Sequence, residues 1–128
     1  MALRVVRLGT PRHPGEGLRI GTVRHPPRGV RKEEFASRDF YDVWYPELSP
    51  SSALVKQALA ANTDKEWAAF VRLFRKEMAS PEARHALGLL AAMSHHTDLS
   101  VGCYCEDEAR CHRSVLRELL DEHGAELV

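Results

Sequence analysis

The stretch Val101-Gly102-Cys103-Tyr104-Cys105-Glu106-Asp107-Glu108-Ala109-Arg110-Cys111-His112-Arg113-Ser114 decides the predicted fold, because it leads from an apolar segment into a helix-like one. With the two residues before it, its first part makes a candidate strand from Leu99 to Cys105. From about Cys111 to His123, apolar side chains recur at helical spacing, and Gly124 is a typical helix stop. A strand that leads into a helix is the repeating unit of an α/β fold.

The rest of the chain repeats this alternation. Segments rich in β-branched and alternating apolar residues predict two earlier strands, at Leu3–Leu8 and Leu18–Arg24. Serine and proline start signals and three- to four-residue apolar spacing predict further helices, from Ser49-Pro50-Ser51 to about Asn62, at 65–79 and from Ser80-Pro81-Glu82 onward. The aromatic-rich segment Phe35–Pro46 is predicted to be irregular and partly buried.

Strands separated by helices predict one α/β domain that covers residues 1–128. We expect a short, mostly parallel sheet flanked by helices in a Rossmann-like layering. In such sheets, ligands bind beyond the carboxyl ends of the strands, where helices begin. The sequence therefore directs attention to the residues that follow each predicted strand.

Composition narrows the class of protein. The chain has 128 residues, 44% of them hydrophobic, and a formal net charge of zero. This balance argues against nucleic acid as the main partner, because coating a phosphate backbone needs a basic surface. No apolar run is long enough for a membrane span or a secretory signal, so we expect a cytoplasmic protein. The three cysteines all lie between Cys103 and Cys111, which is not the pattern of a disulfide framework.

The first hypothesis for function is a site for a small anionic ligand that bears a phosphate, such as a nucleotide. The start of the last helix offers free backbone N–H groups and a partial positive charge. Arginines after the second strand add paired donors for a phosphate or carboxylate. Glu106, Asp107 and Glu108 would compete with a ligand for the helix start. The predicted ligand-binding residues are Arg24, Arg28, Cys105, Cys111, His112, Arg113 and Ser114.

A second hypothesis is a metal site. Cys103, Cys105, Cys111 and His112 are four candidate soft ligands close together in the chain, and zinc takes such ligands in tetrahedral sites. Cys103 and Cys105 would share one face of a strand. Their spacing is not that of a zinc knuckle, and the sequence by itself requires no cofactor.

A third hypothesis is a reactive thiol. Cys111 at a helix start near Arg113 would have a lowered thiol pKa, with His112 as a neighbouring base and Cys105 as a resolving thiol. Cys111 and His112 are therefore the candidate catalytic residues if the protein is an enzyme. Two alternatives involve no reactive thiol: the cysteines serve only to pack the core, or the chain is a protein-interaction domain without catalysis.

Four segments together resemble the YeaO-like bacterial family, a domain of unknown function numbered 488. They are Arg24-x-x-Pro27-Arg28-Gly29-x-x-Lys32; Trp44 with Leu48 and Ser49-Pro50-Ser51; Trp67-x-x-Phe70 with Phe74 and Glu77; and Cys111-His112-Arg113. Their order and spacing follow the family over nearly the whole chain. The resemblance implies a small α/β domain with a pocket suited to anions, and it implies no particular reaction.

Overall fold

The computed structural model describes all 128 residues and contains one sheet of four parallel strands. The strands lie in the order β1-β4-β2-β3, with bounds β1 Leu3–Arg7, β2 Leu18–Gly21, β3 Val43–Trp44 and β4 Leu99–Cys103. Every pairing is parallel, and β4 lies between β1 and β2. The predicted α/β fold with a parallel sheet is confirmed, and the three predicted strands are all present, each ending slightly earlier than expected.

The strand β3 lies inside the segment that was predicted to be irregular. It is only two residues long and pairs Val43 with Ile20 and Trp44 with Gly21. Two residues are too few to show an alternating pattern, which is why the sequence does not reveal this strand. The chain can approach β2 here because Gly21 has no side chain. A Cβ at that position would lie 2.3 Å from the ring of Tyr41.

Four α-helices follow the start signals in the sequence, with bounds α1 Ser52–Ala60, α2 Asp64–Glu77, α3 Pro81–Met93 and α4 His112–Glu122. A side chain caps the start of each of the first three helices by accepting a hydrogen bond from a backbone N–H three residues later. The pairs are Ser51 with Leu54, Thr63 with Glu66, and Ser80 with Ala83. Such caps satisfy helix donors that have no partner in the helix and typically stabilise a protein by about 1 kcal/mol each. None of the helices has the length and apolar character needed to span a bilayer.

The main core lies between the helices and one face of the sheet. Leu99 and Val101 of β4 and Ile20 of β2 belong to a cluster of 17 buried residues to which all four helices contribute. Because side chains alternate along a strand, Ser100 and Arg19 face the other way. A second, smaller cluster joins Cys103 to Cys111 across the junction of β4 and α4.

The opposite face of the sheet holds a buried charged pair. Arg19 is fully buried, and its Nε and Nη2 donate to the two carboxylate oxygens of Glu16 at 2.7 and 2.9 Å. The Ser100 hydroxyl donates to the same carboxylate at 2.9 Å. The remaining guanidinium nitrogen, Nη1, donates to the backbone carbonyls of Thr10 and Asp39. Arg19 therefore holds the loops that contain Thr10 and Asp39 against this face of the sheet.

Candidate ligand cleft and thiol cluster

A cleft of about 490 Å³ opens where the chain leaves β2 and β4. The segment after β2 forms one wall, Tyr104 follows β4, and His112 is the first residue of α4. The helices α1 and α2 close the far side with apolar side chains. The lining residues are Val23, Arg24, His25, Pro26, Pro27, Arg28, Phe40, Pro50, Val55, Ala58, Leu59, Phe70, Tyr104 and His112. The cleft thus occupies the edge of the sheet at which parallel α/β proteins bind ligands.

The charge of the cleft lining is positive. No carboxylate lines it, whereas Arg24 and Arg28 do. Arg24 donates to the backbone carbonyls of Pro50 at 3.0 Å and Ser49 at 3.1 Å, so it retains its net charge. Arg28 is exposed, and neither arginine takes part in any of the ion pairs of the protein.

Two aromatic side chains hold the loop that carries these arginines. The hydroxyl of Tyr104 donates to the carbonyl of His25 at 3.0 Å, and the indole N–H of Trp44 donates to the carbonyl of Val23 at 2.8 Å. Burial raises the pKa of Tyr104, so its hydroxyl keeps its proton and remains a donor at neutral pH. The loop is consequently fixed to both β4 and β3.

His112 connects the cleft to the cysteines. Its Nε2 lies 2.7 Å from the carbonyl oxygen of Thr22. Burial lowers the pKa of His112 to about 4, against the opposing effect of the Thr22 carbonyl, so the imidazole is neutral at pH 7. A carbonyl only accepts, so Nε2 must carry the proton and Nδ1 must present its lone pair. That lone-pair nitrogen lies 3.9 Å from the Cys111 sulfur.

The Cys103 and Cys111 sulfurs are in contact. Cys103 is 1% exposed at the end of β4, and Cys111 is 2% exposed just before α4. The two sulfurs and a ring nitrogen of His112 all lie within 4.8 Å of one another. The Cα atoms of the cysteines are 8.0 Å apart, which is farther than a disulfide spans without backbone movement. These residues form the thiol cluster, Cys103, Cys111 and His112.

Arg113, Cys105 and Ser114 do not line the cleft. Arg113 is 4% exposed and donates to the carbonyl of Cys105, while its Nε has no hydrogen-bond partner. Burial raises the pKa of the Cys105 thiol, although Arg113 opposes this effect, so the thiol is protonated at neutral pH. The Ser114 hydroxyl donates to the Cys111 carbonyl at 2.9 Å. These three residues therefore stabilise the turn into α4 from behind the cleft.

Among known proteins, the model of one family matches residues 3–124 of the chain, and this family is described as the active DUF488-N3 subclade. The chain belongs to this DUF488 family. A comparison with curated proteins and a comparison with solved structures found no match. The match spans both the cleft and the thiol cluster, and it confirms the family that the four sequence segments resemble.

In this DUF488 protein the acidic residues before α4 leave the helix start unoccupied. Asp107 caps a short 3-10 helix, Glu108–Arg110, by accepting from the N–H of Ala109. Glu108 forms an ion pair with Arg117 at 2.8 Å, and Glu106 lies 3.6 Å from Arg7. The residue before α4, Cys111, makes no side-chain capping bond. The predicted competition between the three acids and a ligand is therefore absent.

The structure brings together some of the predicted site residues of the DUF488 protein. Arg24, Arg28 and His112 share the cleft, and Cys103, Cys111 and His112 share the thiol cluster. His112 belongs to both. Cys111, also predicted to bind the ligand, does not line the cleft. Sequence reasoning did not identify Tyr104, Phe40 or Thr22 as site residues. Tyr104 and Thr22 directly follow strands, and this position was the only sequence signal for them. Phe40 gave no signal, because it belongs to a loop whose path depends on the whole fold.

Proposed function

We propose that the cleft binds a small ligand that combines an anionic group with a flat apolar part, as a nucleotide does. The observation that carries this proposal is the charge of the lining, with Arg24 and Arg28 present and no carboxylate. Arginine presents paired N–H donors that match phosphate and carboxylate oxygens. An anion in this cleft would therefore meet donors and no like charge.

The remaining walls of the cleft suit an apolar ring. Phe40, Tyr104 and Phe70 supply aromatic surface, and Val55 and Leu59 of α1 supply aliphatic surface. The volume of about 490 Å³ falls in the range of roughly 300–1,000 Å³ that is typical of small-molecule sites. A base or another planar group would lie between these walls and place its anionic group toward Arg24 and Arg28.

The start of α4 adds a smaller contribution. Its first residue, His112, lines the cleft, and no side chain caps the helix. Unpaired N–H groups at a helix start favour negative charge by about 0.3–1 kcal/mol where solvent has access. The start of α4 therefore favours a bound anion, as Arg24 and Arg28 do.

Isothermal titration calorimetry with three probes tests the proposal. We expect AMP to bind more tightly than adenosine or inorganic phosphate, because only AMP engages both the apolar walls and the arginines. The Arg28→Ala variant should weaken AMP binding about tenfold, equivalent to about 1.4 kcal/mol. Equal affinities for AMP and adenosine would contradict an anion site.

The matched control is Arg31→Ala, which removes an exposed arginine of the same loop region that does not line the cleft. It should leave AMP binding unchanged. If both variants weakened binding equally, the effect would reflect net charge and not the cleft.

A further inference from the structure

We propose that Cys103, Cys111 and His112 bind a zinc ion through their two sulfurs and Nδ1, with the fourth coordination position directed toward the cleft. The inference goes beyond nucleotide binding and does not depend on it. It assigns a use to three residues whose potential ligand atoms all lie within 4.8 Å of one another.

The distance between Nδ1 of His112 and the Cys111 sulfur fits one tetrahedral ion, and an ion between the two touching sulfurs would part them. The three atoms lie within 4.8 Å of one another, and Nδ1 of His112 is 3.9 Å from the Cys111 sulfur. Zinc–sulfur bonds of about 2.3 Å and zinc–nitrogen bonds of about 2.0 Å place such a pair about 3.5 Å apart in a tetrahedron. Thiolate and imidazole are also the ligand types that suit zinc.

The backbone favours a shared ion over a disulfide. Cys103 ends β4 and Cys111 precedes α4, and their Cα atoms are 8.0 Å apart. A disulfide rarely joins Cα atoms separated by more than about 7 Å. An ion joins two sulfurs over a longer distance than a direct sulfur–sulfur bond does, so it suits the Cα separation of 8.0 Å better.

The surroundings of His112 are those of a metal ligand. Its Nε2–H donates to the Thr22 carbonyl, which fixes the ring and the tautomer in which Nδ1 is free to coordinate. The Thr22 hydroxyl in turn donates to the carbonyl of Gly102, the neighbour of Cys103, at 3.0 Å. The same residue therefore orients His112 and anchors it to the strand that carries Cys103.

Burial and charge agree with a divalent cation. Cys103 and Cys111 are almost completely buried, and two thiolates neutralise a divalent ion, which removes most of the cost of burying charge. Val23, Phe40 and Tyr104 pack at this cluster and also line the cleft. With three protein ligands, zinc keeps one position for water or a bound molecule, and His112, which lines the cleft, is the ligand that joins the ion to it.

Metal analysis of untagged protein is the first test. We expect about one zinc ion per chain, as for a mononuclear site. The Cys111→Ser and Cys103→Ser variants should lose the zinc. The Cys105→Ser variant is the matched control, because Cys105 is a free cysteine of the same loop outside the thiol cluster, and it should retain the zinc.

Cobalt titration keeps the test decisive if a serine variant folds poorly. Reduced, chelator-treated wild-type protein should bind Co²⁺ with a thiolate-to-cobalt absorption band that saturates at about one ion per chain. The His112→Ala variant should retain the band at lower affinity.

A wild-type protein that contains no zinc and develops no such band would overturn the proposal, as would full zinc content in Cys103→Ser and Cys111→Ser. The Arg28→Ala variant should keep its zinc, which separates this result from that of nucleotide binding.

Discussion

The guanidinium of Arg19 and the carboxylate of Glu16 form a two-point ion pair that solvent does not reach. The side chains are 0% and 1% exposed, and the closest N···O distance is 2.7 Å. Ser100 and two backbone carbonyls satisfy the remaining polar groups. Such a pair stabilises the protein only as a complete unit, because either charge alone would be buried without its counterion.

Replacing Glu16 with Gln should therefore be strongly destabilising. The amide keeps the shape of the side chain but leaves the charge of Arg19 uncompensated, which typically costs about 3–5 kcal/mol. Urea denaturation followed by circular dichroism measures the loss in the free energy of unfolding. The control is Glu118→Gln, which breaks an exposed ion pair with Arg75 and should have little effect. Equal losses in the two variants would refute the role of the buried pair.

The same pair should give the protein a specific sensitivity to acid. Burial alone would raise the pKa of Glu16, but hydrogen bonds from Arg19, Ser100 and the His13 N–H outweigh it and lower the pKa below the ordinary value of 4.5. A carboxyl whose pKa is lowered by folding contributes stability that is fully present above its unfolded pKa. That stability is lost as the pH falls through the folded pKa. Urea midpoints measured from about pH 6 to about pH 3 should fall more steeply for the wild type than for Glu16→Gln. Parallel pH profiles would contradict this assignment.

Two glycine-to-alanine substitutions should have opposite effects. At Gly102, a Cβ would lie 2.5 Å from the backbone oxygen of Val6, so Gly102→Ala should force β1 away from β4 and cost about 1–3 kcal/mol. Gly88, inside α3, has open space around its Cβ position. Gly88→Ala should stabilise the protein by about 0.5–1 kcal/mol through helix propensity. Thermal and urea unfolding of both variants measure the change in the free energy of unfolding. If Gly102→Ala were as stable as the wild type, the close approach of β1 and β4 at this glycine would not be required for stability.

Filling the cleft should abolish ligand binding without unfolding the protein. Ala58 lies on the cleft side of α1, so Ala58→Trp would occupy the space assigned to the planar part of the ligand. Ala60, two residues later, is exposed and does not line the cleft. We expect AMP binding to be lost in Ala58→Trp and retained in Ala60→Trp, with similar melting temperatures. Retained binding in Ala58→Trp would place the nucleotide elsewhere.

Much of the fold could be predicted from local sequence signals. The start signals Ser49-Pro50-Ser51 and Ser80-Pro81-Glu82 lie at the starts of α1 and α3, and the alternation of Leu99, Ser100 and Val101 marks a strand with one face toward the core. The strand β3 could not be predicted, because two paired residues leave no periodic trace. The burial of Arg19 was also beyond local reasoning, since its partners Glu16 and Ser100 belong to separate segments that meet only in the folded sheet.

For the candidate site, the sequence predicted which edge of the sheet the chosen segments share but not the directions of their side chains. Residues after β2 and β4 do meet at one edge, as expected for parallel strands. However, Arg113 follows His112 directly, and successive helix residues point about 100° apart. His112 consequently faces the cleft, whereas Arg113 lies behind it against the Cys105 carbonyl. The rotation of a helix about its axis is set by its packing, which a short motif does not specify.

The strand order has a consequence for the way the chain acquires its structure during synthesis. β1 is made first, yet its only strand partner is β4, and Leu3 pairs with Leu99. The ribosome must therefore synthesise most of the chain before β1 can pair with β4. The strand β4 then has to enter the sheet between β1 and β2, which have both been synthesised earlier. Closing so long a loop is entropically costly and slows folding relative to a protein of local contacts. Since Cys103 ends that last strand and Tyr104 and His112 follow it, neither the thiol cluster nor the cleft can be completed before β4 has been synthesised.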